Sequence, residues 1–299
     1  MHRGFTPAFA VAKVPPAGIV FHGERDLFLT ISLEEKYTKL KSILTDLQTA
    51  VIAFSGGVDS TFLLRVARDV LGDQNVIALT ATSPTYPQYE FEESCQLAKQ
   101  MRVRQIVIES NELEIPGFAK NDPRRCYYCK HELFSLCRDK ARELDFNAIL
   151  DGSNADDLCD YRPGREAAEE LEVRSPLLEA GMTKNDIRYI SRDLGLPTWQ
   201  KQPFACLSSR FPYGTEITAE RLDQVGRCET VLRHKGFRNY RVRYHGDVAR
   251  IEVAPEEIDR MLDAPLREEI VEEFKNAGFV YVALDLQGYR TGSMNEVTP

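Results

Sequence analysis

The chain of 299 residues is short of several things, and each shortage removes a class of function. It has no run of about 18 apolar residues, the length a helix needs to cross a bilayer, so a membrane-spanning helix is not expected. It has no excess of positive charge: 38 Lys and Arg against 46 Asp and Glu leave a formal net charge of −8. Such a chain lacks the broad basic field that grips a phosphate backbone, so a dedicated nucleic-acid binder is not expected either. Its start holds only a short apolar patch, Phe5 to Val14, broken by Lys13 and followed by two prolines, without the core and cleavage site of a secretory signal. Residues 1–30 are therefore expected to be a poorly ordered leader on a cytoplasmic protein. There the seven cysteines stay reduced and read as ligands, nucleophiles or core filler rather than disulfides.

What is present is an alternating pattern. Leu33, Tyr37, Leu40, Ile43, Leu44 and Leu47 recur at helical spacing, and Ala50 to Phe54 is a short apolar run suited to a buried strand. A helix is expected from Thr61 to Leu71, a strand from Val76 to Thr80, a helix from Glu90 to Met101 and a strand from Gln105 to Ile108. A helix from Leu133 to Leu144, a strand from Ala148 to Asp151 and a helix from Thr183 to Leu194 follow. Strands alternating with helices imply an α/β fold with a parallel sheet covered on both faces. Beyond Tyr213-Gly214 the order changes to a long helix (Thr218 to Lys235), two short strands (240–244 and 249–253), a helix (256–277) and a last strand (279–285). The chain thus divides into an α/β domain, residues 31–214, and a smaller α+β domain, residues 215–299.

The segment joining the first strand to its helix is Ser55-Gly56-Gly57-Val58-Asp59-Ser60. Its glycines let consecutive amide N–H groups turn toward an anion, and the following helix adds its positive end. Ser55, Ser60 and Thr61 add hydroxyl donors, whereas Asp59 would be repelled by bare pyrophosphate and suits a bridging Mg²⁺. The loop lacks the Gly-Lys-Ser/Thr ending with which a Walker loop grips terminal phosphates. ATP held by its α and β phosphates is the expected ligand.

Cys126-Tyr127-Tyr128-Cys129-Lys130 is the second signal, because two cysteines three apart on one turn can share a metal or cluster. There is no second pair of this kind, so a four-cysteine zinc site would need ligands from elsewhere. Cys206 sits in an unpatterned run, Pro203 to Gly214, beside Ser208, Ser209 and Arg210, whose donors and cation favour a thiolate. Cys95, Cys137 and Cys228 fall on amphipathic helices and read as small core residues. Two readings stand: Cys126, Cys129 and Cys206 hold one [4Fe–4S] cluster, or Cys206 alone gives sulfur and the pair is a separate structural or zinc site.

The hexapeptide at 55–60 meets the Ser-Gly-Gly-x-Asp-Ser signature of the PP-loop ATP pyrophosphatases, which the chain resembles. That resemblance places adenosine at Thr80 and Ala81 and implies transfer of AMP with release of pyrophosphate. Further motifs narrow it: Arg125 to Lys130, Asp151 to Asp157, Asp160 to Gly164, Ala205 to Gly214 and Gly288 to Ser293 look like the LarE branch. The likeness runs from about residue 33 to 297. LarE proteins are ATP-dependent sulfur transferases of nickel-pincer nucleotide synthesis. The resemblance implies a pyridinium-3,5-biscarboxylic acid mononucleotide substrate, activated carboxylates and thiocarboxylate products. It also implies ATP, Mg²⁺ at Asp59 and, with all three cysteines present, the cluster-bearing type fed by a sulfide source; in the other type the cysteine matching Cys206 is consumed. Candidate catalytic residues are Cys206, Asp59 and Lys130, and ATP is assigned to Ser55, Gly56, Gly57, Asp59, Ser60, Thr80 and Ala81. Ser209, Arg210, Arg241, Arg243 and Arg290 are candidates for the substrate, since 241 and 243 share a strand face and guanidinium forks suit phosphate. Asp156, Asp157 and Glu229 are weaker candidates for a metal or substrate. A homo-oligomer is expected. The rival reading is a PP-loop tRNA thiolase, which the net charge of −8 disfavours.

Overall fold

A computed structural model describes residues 24–110, 112–159, 163–202, 205–290 and 293–295. Most of the expected leader, and the motif residues Asp160 to Arg162 and Thr291-Gly292, lie outside the described residues. Helix α1 (Glu24–Leu47) starts earlier than the pattern at Leu33 implies, because Leu27, Phe28 and Leu29 form a run without helical spacing.

Strand β1 (Ala50–Ala53) leads into α2 (Val58–Leu71), then β2 (Val76–Thr82), α3 (Gln88–Gln100) and β3 (Arg104–Glu109). Short α4 (Pro116–Ala119) and long α5 (Arg125–Glu143) precede β4 (Ala148–Leu150), followed by α6 (Gly164–Glu170), α7 (Pro176–Glu179) and α8 (Lys184–Asp193). The four strands pair in parallel in the order β3-β2-β1-β4. The alternation of side chains along β1 and β2 explains why helices cover both faces. Ala50, Ile52, Val76 and Ala78 pack with α1, α2 and α8, whereas Val51, Ile77 and Leu79 pack with Phe134, Cys137 and Ala141 of α5. The order of strands turns back at β1, with β2 on one side and β4 on the other, so the loops after the parallel β1 and β4 open beside each other, where such sheets bind ligands.

The second sheet is formed by β5 (Tyr240–His245), β6 (Val248–Val253) and β7 (Tyr281–Leu284) in that order; β5 and β6 are antiparallel, and β7 joins β6 in parallel. It is packed by α9 (Ala219–His234), whose cap is the expected Thr218, and by α10 (Ala264–Asn276). The helix expected over 256–277 is split into a 3₁₀ helix, Pro255–Leu262, and α10, because Asp263 caps a new start with Pro265 in its first turn. The core of this second body takes in Phe118, Leu207 and Phe211, so the polypeptide around Cys206 is packed into it.

Candidate active site

The phosphate loop is built as its composition requires. Gly56 has φ +66°, and a Cβ there would press on Ser94 of α3 at 3.0 Å, so only glycine lets the loop lie against that helix. Tyr86 donates from its hydroxyl to the Ser55 carbonyl at 2.8 Å, and the Ser55 and Ser60 hydroxyls are 3.2 Å apart. Helix α2 then begins at Val58, with the carboxylate of Asp59 in its first turn. Burial pushes the Asp59 carboxyl up, against the pull of Lys184, whose ammonium is bonded to Oδ2. The other oxygen, Oδ1, is buried without a partner, as is the Thr61 hydroxyl. A carboxylate with one orphaned buried oxygen at an anion-binding helix end fits a ligand for a phosphate-bridging Mg²⁺. Thr80 is buried and donates to the Phe54 carbonyl at 2.8 Å, so its hydroxyl braces β2 against the loop. Ala81 follows it, half-buried, near the strand exit.

The two cysteine segments, some eighty residues apart, meet. Cys126 and Cys129 are in the first turn of α5, and Cys206 precedes a tight turn at Leu207–Arg210. Asn121 makes the junction: its Oδ1 accepts from Arg125, and its Nδ2 donates to the carbonyls of Phe211 (3.2 Å) and Pro212 (2.7 Å). Burial pushes the thiols of Cys126 and Cys129 up, and Cys206 lies close enough to raise both further. Cys126 is exposed as a residue although its thiol is crowded by protein; Cys129 also faces the buried Glu112 carboxylate. Lys130, which precedes the helix expected from Leu133, is already on α5, with its ammonium over the Phe134 ring at 5.1 Å, where its charge opposes those rises. The Cys206 sulfur is 2.7 Å from the Ser208 hydroxyl. Among the described residues, no three His, Cys, Asp or Glu side chains close on a single ion. A cluster spreads its thiolates more widely than one ion does, and three cysteines near enough to act on one another electrostatically fit the kind of donor set it takes. Cys137 and Cys228 are fully buried, with thiols pushed up to about 12 by that burial, as core residues would be. Cys95 is only half-buried.

The arginines divide by surroundings. Arg210 is 1% exposed, and its Nε and Nη2 reach the two oxygens of Glu229 at 2.7 and 2.9 Å, while Nη1 holds the Ala205 carbonyl and the Ser209 hydroxyl. Burial would push Glu229 up, but this guanidinium holds its carboxyl below the usual range. Arg243 is likewise buried, donating to Glu252 at 2.7 Å and to the Ser209 carbonyl at 3.0 Å. These two therefore shape the cysteine turn from within. Arg241 stands over the Tyr289 ring, 5.0 Å from its centre, and Arg290 is 3.6 Å from Asp285. Arg241 borders a cleft of about 1010 Å³ that also exposes Arg188, Arg192, Lys201, Arg233 and Arg238. A basic hollow in an acidic chain suits a phosphate-bearing ligand. Asp157 accepts from the Asn154 amide at 3.0 Å and Asp156 from the Lys184 amide at 2.8 Å, so both brace the loop after β4.

Sequence reasoning missed Lys184, Lys201, Asn121 and Glu112. Lys184 had a signal, since a cation at the start of a helix opposes the helix dipole and calls for a reason. Lys201, Asn121 and Glu112 had none, because each acts through partners far away in the chain.

Comparison with known proteins gives the family. The NAD synthase family profile matches residues 32–121, the stretch holding the phosphate loop. An uncharacterised protein of Synechocystis sp. is 46% identical over 265 residues, covering 89% of this chain and 98% of its own. The pyridinium-3,5-bisthiocarboxylic acid mononucleotide synthase of Lactiplantibacillus plantarum is 39% identical over 265 residues, 89% of this chain and 95% of that protein. An uncharacterised protein of Methanocaldococcus jannaschii is 29% identical over 86% of this chain and 98% of its own. The chain belongs to the LarE family of pyridinium-3,5-bisthiocarboxylic acid mononucleotide synthases, ATP-dependent sulfur transferases with a PP-loop.

Proposed function

We propose that the chain activates the carboxylates of pyridinium-3,5-biscarboxylic acid mononucleotide with ATP and exchanges an oxygen of each for sulfur. The reading rests on one observation: the amide of Leu207, next to Cys206, donates to the Thr85 carbonyl at 2.9 Å, so the sulfur-bearing turn hangs on the exit of β2 beside the phosphate loop.

The chemistry is two displacements. A carboxylate oxygen attacks the α-phosphorus, the bond to the bridging oxygen breaks, and pyrophosphate leaves with the electron pair. A sulfur nucleophile then adds at the acyl carbon, and the bond to AMP breaks. The amides of residues 57–60, the start of α2 and the Lys184 ammonium meet the charge that grows on pyrophosphate. Ser55 and Ser60 keep those amides in place, and Thr80 and Ala81 border the adenosine. Asp59 would hold the Mg²⁺ that offsets phosphate charge. Cys126, Cys129 and Cys206 would hold a [4Fe–4S] cluster, which when bound would supply the sulfur nucleophile. Lys130 meets the carboxylate on the cysteine side. Arg241 takes the mononucleotide phosphate in the basic cleft, with Ser209, Arg210, Arg243 and Arg290 behind it. A cytoplasmic homo-oligomer fed by an external sulfide source, divided near residue 214 into an activating and a smaller domain, completes the proposal.

Anaerobic reconstitution should load about four irons per chain, and C126A, C129A or C206A should each end multiple turnover. Intact mass after turnover decides the sulfur source. An unchanged chain supports delivery through the cluster, whereas loss of about 34 Da, one sulfur and two hydrogens, assigns the sulfur to Cys206 itself. A chain that releases no pyrophosphate with this substrate would refute the proposal.

A further inference from the structure

Glu112 lies outside every motif, yet it stands between two of the three cysteines. It is 3% exposed, and a carboxylate taken so far out of water must be met by hydrogen-bond donors. Ser83 donates to its Oε1 at 2.6 Å, and the Thr85 hydroxyl donates to the same oxygen. These two hydroxyls are 3.0 Å apart, and the Thr85 amide donates to the Ser83 hydroxyl at 3.2 Å, so the carboxylate closes a small turn at the exit of β2. The Thr85 carbonyl in turn accepts from the Leu207 amide at 2.9 Å, one residue from Cys206. On its other side, the turn Glu112–Glu114 packs on α5. There the Glu112 carboxylate takes a hydrogen bond from the Cys129 thiol, and Leu113 and Cys129 pack against the same apolar core. One side chain thus reaches from Cys129 to the turn that holds Leu207, and each link is a direct contact. Asn121 ties the same two segments farther along, through Arg125 on one side and Phe211 and Pro212 on the other. A single tie would leave the Cys206 turn free to pivot about it. Two ties, one at Leu207 and one at residues 211 and 212, fix its orientation against α5.

We propose that Glu112 is a positioning residue that sets the spacing between Cys129 and Cys206 by bracing α5 against the 83–85 turn. The inference rests on Cys126, Cys129 and Cys206 working as one sulfur-handling site and goes beyond it by naming what holds two of them at their separation.

The test uses the full-length, metal-free chain and dibromobimane, which links two thiols only when they are close. Peptide mass gives the yields of the Cys129–Cys206 and Cys126–Cys129 links. The second link depends on α5 alone, so the ratio of the two reads the spacing between segments rather than stability. In E112A the ratio of Cys129–Cys206 to Cys126–Cys129 should fall about threefold or more, within the worth of the lost hydrogen bonds. T85V, nearly unchanged in shape, removes only the hydroxyl arm and should lower it about twofold. T85S keeps that hydroxyl and should match the wild type. An unchanged ratio in E112A overturns the proposal. Should E112A not fold, T85V carries the test, and an unchanged ratio there is equally fatal. Anaerobic iron uptake by the wild type, measured alongside, keeps the two readings apart. A wild type that neither forms the Cys129–Cys206 link nor takes up iron refutes the three-cysteine site itself. One that does both, with E112A and T85V matching its ratio, refutes only the role of Glu112.

Discussion

The two halves of the candidate site are held by different forces. The phosphate loop stands on a parallel sheet whose central strands are apolar on both faces, and its shape comes from glycines, amides and a helix end. The cysteine turn stands on side-chain ion pairs: Arg210 with Glu229 and Arg243 with Glu252, all four at or below 5% exposed. In the first half the half-buried charge, Asp59, keeps one oxygen without a partner, as the Mg²⁺ ligand proposed above would. In the second the buried guanidinium and carboxylate groups are paired with one another, with only the Arg243 Nε left over, and belong to the structure. One kind of substitution, carboxylate to amide, should thus act in opposite ways on the two halves.

The largest effect is expected in the second half. Glu229→Gln leaves the Arg210 guanidinium buried beside a neutral partner and should cost about 3–5 kcal/mol, read by urea denaturation. Glu229→Gln with Arg210→Met should recover much of that loss. The pH dependence follows from the depressed carboxyl of Glu229. Its contribution is fully present above the ordinary carboxylate pKa and is lost as pH falls through the lower folded value, so the wild type should weaken below about pH 4. In the amide variant that part of the acid limb should flatten. Equal stability of wild type and E229Q would end the comparison.

Asp59→Asn should show the reverse. Pyrophosphate release should drop about 10²–10³-fold, as when one electrostatic contact to the transition state is lost. Stability should stay level or rise, because a desolvated charge is removed and Lys184, 31% exposed, can return to water. A fall in Tm comparable to that of E229Q would show that both halves are structural networks. The smallest effect concerns the support of the first half. Thr183 and Asp186 form a reciprocal capping box at the start of α8, so Thr183→Ala should cost about 1 kcal/mol without changing the affinity for ATP.

The same division decides what could be read beforehand. Apolar alternation in β1 and β2, the glycines at 56 and 57, and the caps Thr183 and Thr218 are local signals, and the elements follow them within a few residues. The cysteine pair and Cys206 were legible as residue types, but what brings them together is not. Asn121 joins positions 125, 211 and 212 through one amide, and nothing in its neighbourhood announces it. Arg241 and Arg243 share a strand face as the alternation requires, yet one borders the cleft and the other is buried against Glu252. Periodicity reports the face of an element, while the charge of the opposing element decides whether an arginine meets a ligand or a glutamate.

Gly117 of α4 lies beneath the ring of Tyr128, so close that a Cβ at 117 would overlap it. Tyr128 lies between Cys126 and Cys129 in sequence on the same helix, so its contact with the bare glycine bears on the rotation at which the helix presents its sulfurs. Residues 117 and 128 thus form a unit of exchange: a side chain can enter at 117 only if the ring at 128 is given up with it. A designer grafting this cysteine pair onto another scaffold would have to carry over the glycine as well, although it contributes no ligand.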